Sequence, residues 1–173
     1  MYDWIESLNV KLFSDGAEKN KMIEMANLNY IKGLTTNPTL MKKAGISDYE
    51  KFANDVLNEI KNKPISFEVF SDDLNEMKEQ ALRISSWGEN VYVKIPITNT
   101  LGQNTKEVIE FLSKKKVKLN VTAIFTIDQV QLVLDSIYSD TPNFISIFAG
   151  RIADTGRDPM PIMSEALNLI RNN

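Results

Sequence analysis

Hydrophobic and polar positions alternate along the chain in two rhythms. Short apolar runs are typical of strands, and the longer amphipathic stretches between them have the helical period. From the third run onward, the runs begin about 26 residues apart, which is the length of one strand–helix unit. This rhythm predicts an α/β protein with a parallel sheet, either doubly wound or rolled into a barrel. The predicted strands cover residues 10–15, 30–34, 65–70, 91–97, 118–125 and 144–150.

Several stretches between the strands begin with residues that favour a helix start. Two have the spacing of a capping box, in which a serine or threonine is followed three residues later by Glu or Gln. Others carry an aspartate suited to the cap or a proline suited to the first helical position. The candidate starts are Ser47 with Glu50, Thr126 with Gln129, Asp72 with Asp73, Pro38 and Pro159.

The absence of nucleotide-binding loops favours the barrel. No glycine-rich dinucleotide fingerprint follows any strand, and no GxxxxGK[ST] loop is present. In a βα barrel the functional groups stand at the carboxyl ends of the strands. The sequence places polar or aromatic residues at these ends in most units: Asp15, Thr35, Thr36, Asn37, Glu68, Lys94, Asn120, Thr122, Ser146, Phe148 and Arg151.

Composition narrows the possible partners and compartments. The 173 residues are 43% hydrophobic and 25% charged, which is ordinary for one soluble domain with a core. With 20 basic and 23 acidic residues, the formal charge of −3 offers no basic field for nucleic acid or an anionic membrane. The N-terminal stretch lacks the pattern of a signal peptide, and no run of about 18 apolar residues occurs. We therefore expect a cytoplasmic protein with no nucleic-acid or membrane partner.

The chain contains neither cysteine nor histidine. These absences exclude disulfides, thiolate catalysis, the usual zinc ligands and the commonest general base. Catalysis would depend on lysine, carboxylates, hydroxyl groups and water. No metal site and no cofactor are expected.

Each candidate residue also has a structural interpretation. Lys94 could lie on an edge strand with its ammonium group in solvent, and Glu68 could be its salt-bridge partner. "TTNP" could be a turn before a helix, and Arg151 could pair with Asp154. The short polar side chains could satisfy nearby backbone groups, namely Asn120, Thr122 and Ser146. The recurrence of such residues at comparable points of successive units favours a functional interpretation over independent coincidences.

A lysine inside an apolar strand suggests a specific chemistry. Burial among apolar strands favours the neutral amine, which is the nucleophilic form. A neutral lysine can attack a ketone and form a Schiff base, an electron sink that permits carbon–carbon cleavage without a metal or cofactor. Without histidine, the expected proton shuttle is Glu68 acting with the hydroxyl group of Thr122 and a water held between them.

Five motifs resemble those of the transaldolases, in particular their short bacterial and archaeal form. The resemblance extends in order from about Leu12 to Pro159. It implies a (β/α)8 barrel of the class I aldolase, TIM type. It also implies transfer of a dihydroxyacetone unit from a ketose phosphate, such as fructose 6-phosphate or sedoheptulose 7-phosphate, to an aldose phosphate in the pentose phosphate pathway. The motifs are "GLTTNPTL" (33–40), "FEVF" (67–70), "VYVKIP" (91–96), "LNVTAIFT" (119–126) and "SIFAGRIADTGRDP" (146–159).

The resemblance also implies a role for each matching residue. Lys94 matches the Schiff-base nucleophile, Glu68 the acid/base that acts through a water, and Thr122 the residue that orients this water. Asp15 matches the aspartate that handles the proton of the substrate hydroxyl group. The remaining matches concern substrate binding: Asn37 and Ser146 for the dihydroxyacetone hydroxyl groups, Asn120 and Thr36 beside them, Phe148 in the discriminating position, and Arg151 for phosphate.

Two other functions remain as alternatives. A related fructose-6-phosphate aldolase would use the same lysine without an acceptor. The resemblance counts against this alternative at two positions, because those aldolases have tyrosine where this chain has Phe148 and glutamine where it has Glu68. A sugar-phosphate-binding or interaction protein without catalysis would tolerate Lys94→Met. Family members form dimers or larger rings, so we expect a homo-oligomer.

The sequence departs from the family pattern in its number of strands. About six strand–helix units are visible, whereas a closed barrel needs eight. A second phosphate-binding arginine, which the family carries on its seventh strand, has no counterpart here. The favoured expectation is a single barrel domain over residues 1–173 that lacks its last two units through truncation. The alternatives are strands supplied by another chain and a different closure of six strands.

Overall fold

In the computed structural model, residues 3–138 and 140–172 are described. Six strands alternate with helices in this part of the chain. The strands are β1 (Leu12–Asp15), β2 (Ile31–Thr35), β3 (Ile65–Glu68), β4 (Val91–Pro96), β5 (Leu119–Ile124) and β6 (Phe144–Ile147). The helices are α1 (Asp3–Glu6), α2 (Lys19–Ala26), α3 (Pro38–Lys43), α4 (Tyr49–Glu59), α5 (Leu74–Ser85), α6 (Lys106–Lys114), α7 (Ile127–Leu134), α8 (Ala149–Asp154) and α9 (Met160–Asn172).

The strands follow one another in the sheet in chain order, from β1 to β6. Parallel pairing is seen between β1 and β2, β2 and β3, β4 and β5, and β5 and β6. Parallel strands need crossovers, and helices supply them here. The prediction of a TIM-type βα fold with about six strand–helix units is therefore confirmed. The description of residues 1–173 as one barrel domain stays a prediction.

The chain divides into two compact units, which are described separately. The first consists of Met1–Glu68 and Arg83–Tyr92. Its strands β1, β2 and β3 are parallel, and Leu34 of β2 and Phe67 of β3 are almost completely buried. Ala53 and Val56 of α4 are also fully buried, because they lie on the apolar face of this amphipathic helix.

Gly33 permits the close approach of β1 to β2. Phe13 pairs with Gly33 in the parallel register, and its aromatic ring lies over the glycine. A Cβ atom added at Gly33 would lie 2.2 Å from the ring of Phe13, which is closer than real contacts allow. The glycine is therefore required by the neighbouring ring rather than by a turn.

The second unit consists of Val69–Leu82 and Val93–Asn173. Here the later part of β4 pairs with β5, and β5 pairs with β6. Val93 and Ile95 of β4 are fully buried. The apolar face of α6 is equally buried at Val108, Ile109 and Leu112, so burial of apolar faces stabilises this unit as well.

Three predicted helix starts are confirmed. Thr126 and Gln129 form a capping box at the start of α7. Pro38 occupies the first position of α3, where its missing N–H costs nothing. Asp73 precedes α5, and its carboxylate accepts hydrogen bonds from the backbone N–H groups of Asn75 and Glu76.

Three other predictions of local structure were wrong. The cap of α4 is Asp48 and not Ser47, since the carboxylate of Asp48 accepts the bond from the N–H of Lys51. Pro159 lies just before α9, which begins at Met160. The last predicted strand, 144–150, ends at Ile147, because the apolar run continues into helix α8. Elsewhere the predicted strands differ by one or two residues at an end.

No helix within residues 3–138 and 140–172 combines the length and the apolarity needed to cross a membrane.

Candidate functional site

Most of the predicted site residues lie in or just after the carboxyl-terminal half of a strand, whereas Asn120 is only the second residue of β5, and the set divides between the two units. The first unit contains Asp15, Thr36, Asn37 and Glu68. The second unit contains Lys94, Asn120, Thr122, Ser146, Phe148 and Arg151.

Asp15 is the last residue of β1, and its side chain is exposed. Parallel register places it opposite Thr35 of β2, whose hydroxyl group donates a 2.8 Å hydrogen bond to the Asp15 carboxylate. This bond holds one carboxylate oxygen at the strand end. Thr35 was among the polar residues predicted at the strand ends, but no role was predicted for it.

Thr36 and Asn37 continue from β2 into α3. Thr36 is 0% exposed, and its hydroxyl oxygen has no hydrogen-bond partner among the described residues. Asn37 is the cap of α3, because its side-chain oxygen accepts a 3.0 Å bond from the N–H of Leu40. The interpretation of "TTNP" as the entry to a helix is thus correct locally. It leaves the amide nitrogen of Asn37, a donor of two bonds, as the group that could bind a substrate oxygen.

Glu68 is the last residue of β3 and is half-buried. Its backbone carbonyl group accepts a 2.9 Å hydrogen bond from the hydroxyl group of Tyr49, the first residue of α4. Burial, with a smaller contribution from the charge of Glu68, raises the pKa of Tyr49 far above its usual value. Tyr49 was not predicted, because its 19-residue separation from Glu68 is bridged only in the folded unit.

Lys94 lies on the less buried side of β4. Val93 and Ile95, its neighbours along the strand, are fully buried, whereas Lys94 is half-buried. Its carbonyl group accepts a bond from the N–H of Val69, and on the other side the strand pairs with β5. The interpretation of β4 as an edge strand is therefore wrong. The expectation of a buried lysine is corrected to a half-buried one, because strand alternation directs only every second side chain into the apolar core.

Asn120 of β5 stands beside Lys94 in the parallel register. It is 4% exposed, and its side-chain oxygen accepts a 2.6 Å hydrogen bond from the hydroxyl group of Ser146 on β6. Asn120 thus links two neighbouring strands: Lys94 is its register partner on β4, and Ser146, two residues beyond its register partner Phe144 on β6, bonds to its side chain. Asn120 and Ser146 bond to each other, so the interpretation that they only satisfy backbone groups is incomplete.

Thr122 lies two residues further along β5 and pairs with Pro96 in register. It is 1% exposed, and its hydroxyl oxygen has no hydrogen-bond partner within the described part of the chain. The next residue, Ala123, has φ of 59°, in the left-handed region that non-glycine residues rarely adopt. The register between β5 and β6 shifts at this point, so Thr122 adjoins a β-bulge.

Phe148 and Arg151 lie beyond β6, at the cap and within the first turn of α8. The ring of Phe148 packs edge-to-face against Phe125, with ring centroids 5.7 Å apart. Arg151 is exposed and forms a 3.1 Å ion pair with Asp154, as the structural interpretation held. An exposed pair of this kind contributes little, about 0–1 kcal/mol, so the guanidinium group could exchange its partner for a phosphate at low cost.

The described residues contain no group of three or more Asp and Glu side chains that could hold a metal ion. The first unit instead carries carboxylate, hydroxyl and amide groups at or just after its strands, and the second carries an amine, an amide, hydroxyl groups and a guanidinium group. The fold is that of a TIM-type βα protein, a class in which functional groups stand at the carboxyl ends of the strands.

Comparison with known proteins identifies the family. A family model described as Transaldolase/Fructose-6-phosphate aldolase matches residues 12–173. The chain is 33% identical over 162 residues to a "Probable transaldolase" of Dehalococcoides mccartyi. The match covers 94% of this chain and 71% of the relative. Proteins of the same name from Methanococcus maripaludis strain C7 and Streptococcus equi are each 35% identical, over 92% and 93% of this chain and 70% and 71% of their own lengths. The protein belongs to the transaldolase/fructose-6-phosphate aldolase family.

Proposed function

We propose that this protein is a transaldolase that transfers a dihydroxyacetone unit from a ketose phosphate to an aldose phosphate through a Schiff base on Lys94. The observation that carries the proposal is the position of Lys94, half-buried in β4 and beside Asn120, in a chain of this family. A half-buried amine on a strand that is paired on both sides can still reach a ligand.

In the first step the amine of Lys94 attacks the ketone carbon of the substrate. The carbinolamine formed then loses its hydroxyl group as water, which leaves a protonated imine. Formation and later hydrolysis of the imine require a group that gives and takes a proton, and Glu68 is proposed for this role. The hydroxyl group of Thr122 is proposed to orient the water involved, which suits a buried hydroxyl with no partner among the described side chains.

The bond between carbons 3 and 4 of the ketose then breaks. Asp15 is proposed to take the proton from the hydroxyl group on carbon 4, so that an aldehyde leaves and the bonding electrons pass to the imine as an enamine. The bond from Thr35 leaves the second carboxylate oxygen of Asp15 to accept this proton. Transfer is completed when the enamine attacks the aldehyde of the acceptor, Asp15 returns the proton and water releases the product.

The remaining predicted residues are proposed to bind the substrate. The amide N–H groups of Asn37 and Asn120, as donors, and the hydroxyl oxygen of Ser146, as an acceptor, suit the hydroxyl groups of the three-carbon unit, with Thr36 beside them. Phe148 is proposed to favour transfer over simple cleavage. Arg151 would bind the phosphate in place of Asp154, because a guanidinium group can bind phosphate through two parallel bonds.

Borohydride trapping tests the lysine chemistry. The protein is incubated with fructose 6-phosphate and borohydride, which reduces an imine to a stable amine, and is then analysed by intact mass and peptide mapping. We expect one reduced three-carbon adduct on Lys94 and none in Lys94→Met. The matched control is Lys32→Met, which removes the lysine of β2. A folded wild-type protein that forms no adduct would contradict the proposal.

A second candidate, fructose-6-phosphate aldolase, is favoured by the family description, which names both activities. Product analysis with and without erythrose 4-phosphate separates the two. A transaldolase turns over only when an acceptor is present, and the three-carbon unit then appears in sedoheptulose 7-phosphate, whereas an aldolase cleaves fructose 6-phosphate equally fast in either case and releases free dihydroxyacetone. Equal rates would assign the aldolase activity.

We also propose a homo-oligomer that acts in the cytoplasm within the pentose phosphate pathway and has no nucleic-acid partner. Native mass measurement tests the oligomer.

The alternative of a sugar-phosphate-binding protein without catalysis predicts that Lys94→Met preserves ligand binding and every biological effect. Loss of the biological effect in that variant would exclude this alternative.

A further inference from the structure

Tyr49 lies directly behind the strand end that carries Glu68. It is the first residue of α4, and its hydroxyl group donates a 2.9 Å hydrogen bond to the backbone carbonyl group of Glu68. β3 has only four residues, and Glu68 is the last of them. The peptide group that follows Glu68 is held at its N–H by the bond from Val69 to the carbonyl group of Lys94 and at its oxygen by the bond from Tyr49. The hydrogen bond from Tyr49 holds this last carbonyl group.

The ring of Tyr49 is itself fixed by two other aromatic rings in the same unit. Its centroid lies 5.1 Å from that of Trp87 and 6.1 Å from that of Phe67, both in edge-to-face arrangements. Phe67 and Trp87 also pack edge-to-face, at 5.8 Å, and Phe67 is fully buried. Three rings in mutual contact leave the phenol little freedom to rotate away from the carbonyl group.

The phenol also keeps its proton. Burial raises the pKa of Tyr49, and the negative charge of Glu68 raises it further. Tyr49 therefore remains a hydrogen-bond donor throughout the pH range in which an enzyme would be assayed.

We infer that Tyr49 is a positioning residue for Glu68, fixing the backbone from which the carboxylate reaches the reacting atoms. This inference rests on the proposed function, in which Glu68 transfers protons. Fixing the carbonyl group fixes the peptide plane next to the Cα atom of Glu68, and with it the point from which the side chain starts. Displacement of a catalytic group by about 1 Å can lower a rate by about 100-fold.

A double-mutant cycle tests this inference. The four proteins are the wild type, Tyr49→Phe, Glu68→Gln and the variant with both changes. Phenylalanine keeps the ring contacts and removes only the hydroxyl group. Tyr30→Phe is the matched control, because it removes a hydroxyl group from another half-buried tyrosine of the same unit, at the opposite end of a strand. Assays are run where circular dichroism shows every variant to be folded.

We expect Tyr49→Phe to lower kcat by about 10- to 100-fold with little change in KM, since substrate binding is unaffected. Tyr30→Phe should match the wild type. In the Glu68→Gln background, removal of the Tyr49 hydroxyl group should lower kcat no further, because Tyr49 acts only through the carboxylate. A residue with a merely structural role would instead lower kcat by the same factor in both backgrounds.

Three results would overturn the inference: a wild-type kcat in folded Tyr49→Phe, an equal loss in both backgrounds, or a wild-type kcat in Glu68→Gln. With any of them, an adduct still trapped on Lys94 leaves the proposed lysine chemistry standing. Absence of the adduct in the wild type overturns the proposed function first. The two failures are therefore distinguishable.

Discussion

The hydroxyl group of Ser146 donates a 2.6 Å hydrogen bond to the side-chain oxygen of Asn120. Because the oxygen of the amide is held, the direction of its N–H donors is set as well. Asn120 stands beside Lys94 in the parallel register. The orientation of the amide next to the lysine thus depends on a serine from the following strand.

Removal of this serine hydroxyl should affect both stability and binding. Ser146→Ala leaves the nearly buried oxygen of Asn120 without its donor, and we expect the free energy of unfolding to fall by about 1–3 kcal/mol. The KM for the ketose phosphate should rise. Urea unfolding and steady-state kinetics measure the two effects. The control Ser86→Ala removes an exposed serine hydroxyl that bonds to the carbonyl group of Arg83, and the inference about Ser146 fails if both variants behave alike.

The buried hydroxyl group of Thr122 should cost stability and serve function. Its oxygen has no partner among the described residues, so Thr122→Val, a change of similar shape, should raise the free energy of unfolding by about 1 kcal/mol. Turnover should fall, because the proposed water-orienting group is lost. Thr105→Val is the matched control. Thr105 is also 0% exposed, but its hydroxyl group donates a 2.7 Å bond to the carbonyl group of Pro96.

Thermal or urea unfolding of these two valine variants should therefore give changes of opposite sign. A loss of stability in Thr122→Val as large as that in Thr105→Val would show that the Thr122 hydroxyl is satisfied in the folded protein.

Glycine should be preferred to alanine at position 123. A left-handed conformation costs an ordinary residue about 1–2 kcal/mol, and Ala123 adopts it with φ of 59°. We expect Ala123→Gly to raise the urea midpoint and Ala123→Val to lower it, since a β-branched side chain fits this conformation poorly. Ala153→Gly in helix α8 is the control and should lower stability by up to about 1 kcal/mol. The same sign for both glycine variants would contradict the assignment of strain to Ala123.

Asp72 should contribute a part of the free energy of unfolding that is lost at acid pH. Its carboxylate accepts bonds from the hydroxyl and N–H groups of Thr100, at 2.6 and 2.8 Å, and these bonds lower its pKa below the ordinary value of 3.8. The stabilisation is fully present above the unfolded pKa and is lost as pH falls through the folded pKa. Carbon-13 titration should show a higher pKa for Asp72 in Thr100→Ala and no change in Thr39→Ala. An unchanged Asp72 titration in Thr100→Ala would count against this assignment.

Helix starts were predictable from the sequence where the residues that form them are neighbours in the chain and no adjacent residue could take the same role. The capping box at Thr126 and the proline at the start of α3 were found because each acts within four residues of itself. Ser47 and Asp48 can both cap a helix, and which of them does so is decided by the residue at which the backbone becomes helical. The strand predicted over 144–150 was too long because Phe148, the cap of α8, makes no capping hydrogen bond with its side chain. The sequence therefore contains no capping residue that would indicate the start of this helix.

The candidate residues themselves were predictable from their recurrence at strand ends, but their partners were not. The bond from Tyr49 to Glu68 and that from Ser146 to Asn120 join residues 19 and 26 positions apart. Such pairs depend on register and on how helices pack against strands. No periodicity in the sequence encodes them directly.

The bulge at Ala123 also shifts the register between β5 and β6. Between two pairing points, β5 advances from Val121 to Ile124 while β6 advances only from Ile145 to Ile147. One surplus residue reverses the phase of side-chain alternation, so Ile124, the last residue of β5, follows the opposite alternation to residues 119–122. Shortening the chain by this single alanine would therefore do more than relieve strain. It would turn the fully buried side chain of Ile124 to the other face, unless the earlier residues of β5 turned instead and carried Asn120 and Thr122 away from their present positions.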